Sequence, residues 1–220
     1  MSRLRRQAWA WVVIMAGLFL YALAIVLMVR ADLGLGPWDI FHVGVAGRLG
    51  WPLGRVSIVT GLAIIVLSYV AARIKPGAGT VANMICIGTF IDWLMPHMPV
   101  FRGWAVQVAV FGLGVLLEGL ATRVYIGAGL GAGPRDGLML GLSRITGRSI
   151  RLVRTRIEVT VLAAGALLGG KLGLGTVIFA LGIGPAVQFF FRLFGEPGKT
   201  PYGPSPPAPL PRARGEGRHF

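Results

Sequence analysis

Charges are scarce along this chain and come in clumps, so the intervals between them are long and apolar. Gln7 to Val29 carries no charge and exceeds the ~20 residues that cross a bilayer core. Val56–Ala72, Gly77–Ile91, Gly103–Leu117, Val159–Gly170 with its flanks, and Leu172–Phe191 are the other runs. The pattern predicts about six crossing helices. The basic start, MSRLRRQ, is followed by a run longer than the roughly 7–15 residues of a signal-peptide core. A retained first helix that starts in the cytoplasm is expected.

Two polar interruptions break this pattern in the same way. "ADLGLGPWD" at 31–39 and "AGLGAGPRD" at 128–136 align with an offset of 97. Gly34, Gly36, Pro37 and Asp39 fall on Gly131, Gly133, Pro134 and Asp136, and Gly44, Gly50 and Val56 fall on Gly141, Gly147 and Val153. With one residue deleted, "GTVANMICIG" at 79–88 falls on "GTVIFALGIG" at 175–184. The chain therefore reads as a tandem duplication. Residues 8–96 form the first membrane repeat, 102–194 the second, and 195–220 a tail. Each unit reads as a long helix (8–29; 103–124), the glycine motif, a short helix (Pro37–Leu49; Pro134–Thr146), and two further helices (53–73 and 78–95; 150–169 and 175–194).

The short helix decides the topology. Proline suits the first helical turn, and Asp39 or Asp136 two residues on suits the positive helix start. Thirteen residues give about 20 Å, short of the ~30 Å hydrocarbon core. The expected fold is an all-α polytopic membrane protein of two tandem repeats, each with three transmembrane helices plus one short re-entrant or broken helix. If the short helix re-enters, the repeats are inverted; if it crosses, they are parallel. Both arrangements put the N- and C-termini in the cytoplasm, and the distribution of Arg and Lys does not separate them. Helix length favours the inverted one.

Composition agrees with the membrane reading: 55% hydrophobic residues and only 14% charged, against about 25% charged in soluble domains, with a mean hydropathy of +0.72. The net charge of +14 comes almost all from arginine. In a membrane protein such charge collects in cytoplasmic loops and near anionic headgroups, and no soluble basic module remains to bind nucleic acid. Cys86 is the only cysteine, and the three histidines are scattered, so no metal site or cofactor is expected. No Ser-His-Asp or Cys-His set is visible in a plausible arrangement, and "GLGLGP" lacks the Lys-Ser/Thr of a phosphate loop. An enzyme is not expected. The tail, rich in proline, glycine and arginine, reads as disordered and cytoplasmic.

"ADLGLGPWDIFHVGVAGRLG", and later "GAGPRDGLMLGLSRITGRSIRLVRTRIEVTVLAAGALLGGKLGLGTVIFALGIGPAVQ", resembles the YczE branch of the YczE/YyaS/YitT family of bacterial membrane proteins. The resemblance covers about residues 8–194. It implies a bacterial cytoplasmic (inner) membrane protein and brings no functional residues with it.

The candidate chemistry lies where charge meets the bilayer, because intramembrane ionisable groups are costly. Asp39 and Asp136 either cap their own short helices or meet near the midplane with Gly34, Gly36, Gly131 and Gly133. The helix starts would then form an anion site, or the carboxylates a proton or cation site. Arg135 replaces Trp38 of the first repeat. It either binds an anionic solute group or snorkels to the cytoplasmic interface. Glu118, in a long apolar run, falls on Tyr21. It either couples protons or pairs with Arg123 or Arg154. Arg148, Arg151, Arg154 and Arg156 form a basic cluster, either a cytoplasmic anchor or a lipid-headgroup site, and Arg154 faces Glu158 at i, i+4. Trp9, Trp11, Trp93 and Trp104 read as interfacial anchors. The duplication, broken helices and midplane acids point to a transporter or permease of a small solute. The alternative is a non-transporting scaffold or regulatory factor acting through cytoplasmic partners. Substrate and oligomeric state are not encoded legibly.

Overall fold

The computed structural model describes residues 3–127 and 133–195. Among them eight α-helices follow in order: α1 (Arg3–Ala31), α2 (Pro37–Leu49), α3 (Leu53–Ala72), α4 (Ala78–Leu94), α5 (Trp104–Gly127), α6 (Pro134–Thr146), α7 (Ile150–Leu167) and α8 (Leu174–Phe194). A single 3-10 turn, Met95–His97, extends α4. Helices α1, α3, α4, α5 and α8 are long and apolar enough to cross a membrane. The count is five where the sequence pattern suggested six. Helix α7 has 18 residues, but Arg151, Arg154, Arg156 and Glu158 crowd its first half.

The two short helices are bounded as their sequences require. Each follows an extended glycine, Gly36 or Gly133, opens on proline, carries its aspartate in the first turn, and ends at a left-handed glycine, Gly50 or Gly147. Gly77 and Gly173 precede α4 and α8, and each donates its N–H to the hydroxyl of a threonine three residues on, Thr80 or Thr176. The starts of α3 and α7 differ. The Asp92 carboxylate, from α4, accepts the N–H groups of Gly54 at 2.6 Å and Arg55 at 2.9 Å, capping α3 from a neighbouring helix. Helix α7 is capped by its own Ser149.

Helices α1 and α5 pack antiparallel along their length. The Gln107 amide, near the start of α5, donates to the Ala31 carbonyl at the end of α1. Glu118 meets Tyr21, and Gly17 lies against Tyr125. Helix α4 packs on α1 and α8 on α5; α3 packs on α4 and α6; α2 packs on α7. Helices α7 and α8 do not pack closely on each other. Two buried apolar cores result. One joins Ile14, Leu18 and Val26 to Ile87 and Ile91; the other joins Met28 and Ile40 to Phe111, Val115 and Ala186. Outward faces stay apolar, with Leu62, Val66, Leu113, Leu116 and Leu181 exposed as a lipid-facing surface requires. Trp9, Trp93 and Trp104 are exposed near helix ends, where interfacial rings belong.

Small residues set the helix separations. A Cβ on Gly54 would collide with the Gly88 carbonyl oxygen, so α3 and α4 touch through their backbones. A Cβ on Gly165 would lie 2.6 Å from the Phe41 nitrogen, fixing α7 against α2. Gly54→Ala is expected to lower stability by about 1–3 kcal/mol, because a well-packed seam has no room for a methyl. Gly47→Ala, with nothing within 4 Å of the added carbon, is expected to gain up to about 1 kcal/mol from helix propensity. Melting of the two variants in detergent checks the opposite signs; equal shifts would remove the seam as a stabilising contact.

Candidate functional site

The break between α1 and α2 builds one wall of the site. Asp32 and Gly34 turn the chain with φ of 52° and 105°. The Leu33 carbonyl accepts the Gly175 N–H at 2.6 Å, and the exposed Asp32 carboxylate pairs with Lys171 at 3.0 Å. Gly34 lies so close to Gly173 and Thr176 that a Cβ would sit 2.7 Å from the Gly173 nitrogen. The chain can therefore turn back and start α2 inside the helix bundle. A helix start leaves its first N–H groups without intrahelical partners, and those of α2 and α6 open on the same space.

That space is a cavity of about 430 Å³, within the range of small-molecule sites. Gly36, Trp38 and Asp39 line it from α2, and Gly133, Arg135 and Asp136 from α6. Tyr21 from α1 and Glu118 and Tyr125 from α5 form its floor, and Arg154, Glu158 and Gln188 reach it from α7 and α8. The Tyr21 hydroxyl donates to Glu118 Oε1 at 2.8 Å. The Arg135 guanidinium lies over the Trp38 ring, 4.8 Å from its centre, within cation–π range. Asp39 Oδ1 lies 3.9 Å from His42 Nδ1. Asp39, His42 and Glu118 are 5%, 3% and 5% exposed, and His42 Nε2 and Glu118 Oε2 are buried with no hydrogen-bond partner.

Six of the eight expected solute-binding residues come together here: Gly36, Asp39, Glu118, Gly133, Arg135 and Asp136. Gly34 does not; it serves the turn. Gly131 lies outside the described residues, as does the tail beyond residue 195. Asp39 and Asp136 both stand in the first turn of their short helices, and neither helix has a side-chain hydrogen bond at its N-cap. Glu118 pairs with neither expected arginine: Arg123 donates to the carbonyls of Phe194 and Gly195, and Arg154 bonds Glu158 at 2.7 Å. Their side chains are used at the end of α8 and along α7. Arg135 is held over a ring in the cavity wall instead of snorkelling outward. All four arginines of the basic cluster are exposed, and Arg154 also lines the cavity. Gln107 bonds between helices, and Asn83 and Gln188 line the cavity.

Trp38, His42 and Tyr125 had no assigned role in the sequence reading. His42 follows Asp39 by three residues, one helical turn, and that spacing on a short helix was the available signal. Tyr125 precedes the second glycine motif by three residues but belongs to no repeated pattern, since Met28 is its equivalent, and only the antiparallel packing of α1 and α5 brings it near Tyr21, with ring centres 6.1 Å apart.

Residues 8–192 match a family described as a family of unknown function, DUF6198. The chain is 37% identical over 180 residues to the "Uncharacterized membrane protein YczE" of Bacillus subtilis, covering 81% of this chain and 84% of that one. It is 36% identical over 194 residues to an "Uncharacterized protein" of Haemophilus influenzae, covering 84% and 87%. It is 25% identical over 165 residues to the "Uncharacterized protein YyaS" of Bacillus subtilis, covering 74% and 82%. No solved structure matches. With the same apolar helices and both glycine motifs inside the matched region, the chain belongs to this family of membrane proteins, the YczE and YyaS group.

Proposed function

We propose that this protein is a small permease, not an enzyme, whose two halves are inverted repeats and carry a small solute through the cavity between them. The observation that carries this reading is that equivalent residues of the two halves touch each other in the cavity. Tyr21 and Glu118, which bond directly, are 97 positions apart. Trp38 and Arg135, stacked as cation and ring, have the same separation. Residues related by an internal twofold meet only on its axis, so the axis runs through the cavity. The packing supports it further: α2 sits on α7 while α6 sits on α3, so each short helix leans on the other half. Gly17 packs on Tyr125, and its equivalent Gly114 packs on Met28, the equivalent of Tyr125.

The antiparallel α1 and α5 supply the hand of the repeat. As contacts climb α1 from Gly17 through Tyr21 to Met28, they descend α5 from Tyr125 through Glu118 to Gly114. Helices α1 and α5 thus enter the bilayer from opposite sides. The segment between them must return to the side where α1 ended, which α3 and α4 do only if α2 re-enters. With α7 crossing as the equivalent of α3, its charged first half turned to the cavity and to solvent, the termini share one side, the cytoplasm of a bacterial inner membrane. Two re-entrant helix starts meeting at the midplane are a transporter arrangement.

Two measurements test this. On a Cys86→Ala background, single cysteines at Leu49 and Thr146 lie at equivalent, exposed helix ends. They are expected to react with an impermeant thiol reagent from opposite sides of the membrane; same-side labelling sinks the inverted repeat. For transport, the purified protein is screened for thermal stabilisation by small amines, carboxylates, sugars and phosphate, and the best solute is followed into liposomes. The Asp39→Asn, Asp136→Asn double variant is expected to reduce uptake at least tenfold. If no solute stabilises the protein and none enters the liposomes, the membrane-factor alternative replaces this one.

A further inference from the structure

We infer that the cavity binds a small organic cation, an ammonium or guanidinium solute, with Glu118 as its counter-charge. This deepens the solute reading above and takes only the cavity from it; binding and transport are separable.

The cavity's own charges point to the sign. Asp39, Glu118 and Asp136 face a single guanidinium, that of Arg135, because Arg154 and Glu158 satisfy each other at 2.7 Å. The two helix starts contribute about half a positive charge each. With all three carboxyls ionised, about one negative charge is in excess. Its location follows from the partners. Asp39 lies 3.9 Å from His42, too far for a hydrogen bond, and Asp136 sits in the first turn of α6. Glu118 Oε1 takes the Tyr21 hydroxyl, but its Oε2 has no partner while buried. An ionised carboxylate at that depth costs several kcal/mol unless a proton or a cation compensates it, and a cationic solute in the cavity takes the place of the proton. An anionic solute would instead add to the excess.

The walls point to an organic cation over a metal ion. The Tyr21 and Tyr125 rings meet edge to face beside Glu118, and aromatic faces attract ammonium and guanidinium groups. Trp38 already holds one guanidinium, the protein's own Arg135. Among the described residues no group of three or more His, Cys, Asp and Glu is arranged to hold a metal ion, and a cavity of about 430 Å³ is far larger than a bare ion needs.

The test uses full-length purified protein in detergent, with melting temperature followed against methylguanidinium chloride and ethylammonium chloride. Sodium chloride, sodium acetate and sodium phosphate at equal ionic strength are the comparisons. The organic cations are expected to raise the melting temperature with a saturable dependence, and the sodium salts are not. Glu118→Gln keeps an acceptor for Tyr21 and is expected to weaken the apparent affinity at least tenfold. Arg55→Gln, an exposed side chain outside the cavity, is expected to leave it unchanged. Should Glu118→Gln not fold, Asp39→Asn removes a share of the same excess charge and is expected to weaken binding several-fold. Stabilisation by acetate or phosphate, equal stabilisation by sodium, no response to either organic cation, or unchanged affinity in the carboxylate variant that folds overturns the inference. Cation binding without liposome uptake keeps this site and sinks transport, whereas uptake of an anion does the reverse.

Discussion

The break between α1 and α2 exposes backbone N–H and C=O groups that must find partners among the packed helices, and the bundle is organised around that problem. Between α1 and α2 the solution is contact with α8. The Leu33 carbonyl takes the Gly175 N–H, and Gly34, Gly173 and Thr176 close over the turn. The contact demands glycine on both sides, because a single Cβ would fill the space the hydrogen bond spans. It also fixes α8 beside the start of α2, which brings Phe179 and Gln188 to the same cavity. The N–H groups at the start of α2 are left facing that cavity. Covering part of the break with protein, and leaving part of it to line a space, produces the site.

The antiparallel pairing of α1 and α5 does the rest. It buries Leu18 and Val26 of one helix and Phe111 and Val115 of the other, and at its crossing it joins Tyr21 to Glu118. A carboxylate at the centre of two apolar helices is expensive. Here one oxygen is compensated by a phenol, and the other is buried without a partner. The same crossing brings Trp38 and Arg135 into contact, although neither belongs to α1 or α5. One packing interface therefore assembles polar groups from four helices.

Much of this was legible in the sequence. The bounds of both short helices follow from Gly36-Pro37 and Gly133-Pro134 at the start and Gly50 and Gly147 at the end, since these residues act through local backbone preference. The cavity residues Asp39, Asp136, Arg135 and Glu118 were marked by charge in an apolar chain. What was not legible depends on which helix faces which. For Glu118 the sequence offers a proton-coupling role or a pairing with Arg123 or Arg154, while its partner, Tyr21, lies 97 residues away. Asp92, beside Trp93, reads as interfacial; its role as the cap of α3 depends on the Gly54–Gly88 seam, which no local rule reveals. The sixth apolar run, Val159–Gly170, is too short by itself, and the residues that extend it into α7 carry Arg151, Arg154, Arg156 and Glu158.

The two halves differ most where they would need to for a moving part. Helices α3 and α4 are joined at Gly54 and Gly88, and Asp92 of α4 holds the first turn of α3. In the second half Arg151 stands at the position of Gly54 and Gln188 at that of Asp92, by the alignment of the two units. An arginine cannot make a backbone seam, and an uncharged amide is a poorer cap. Helices α7 and α8 accordingly stand apart, with Arg154, Glu158 and Gln188 turned to the cavity between them. Under the proposed inverted repeat, the α3–α4 seam and the α7–α8 gap lie on opposite sides of the membrane. The cavity is then sealed on one side by glycine contact and approached on the other through polar side chains. Alternation between sides would require the sealed pair to part and the open pair to close. The seam is held by two hydrogen bonds to one carboxylate and a close glycine contact, a small enough set of interactions for such a change to be reversible.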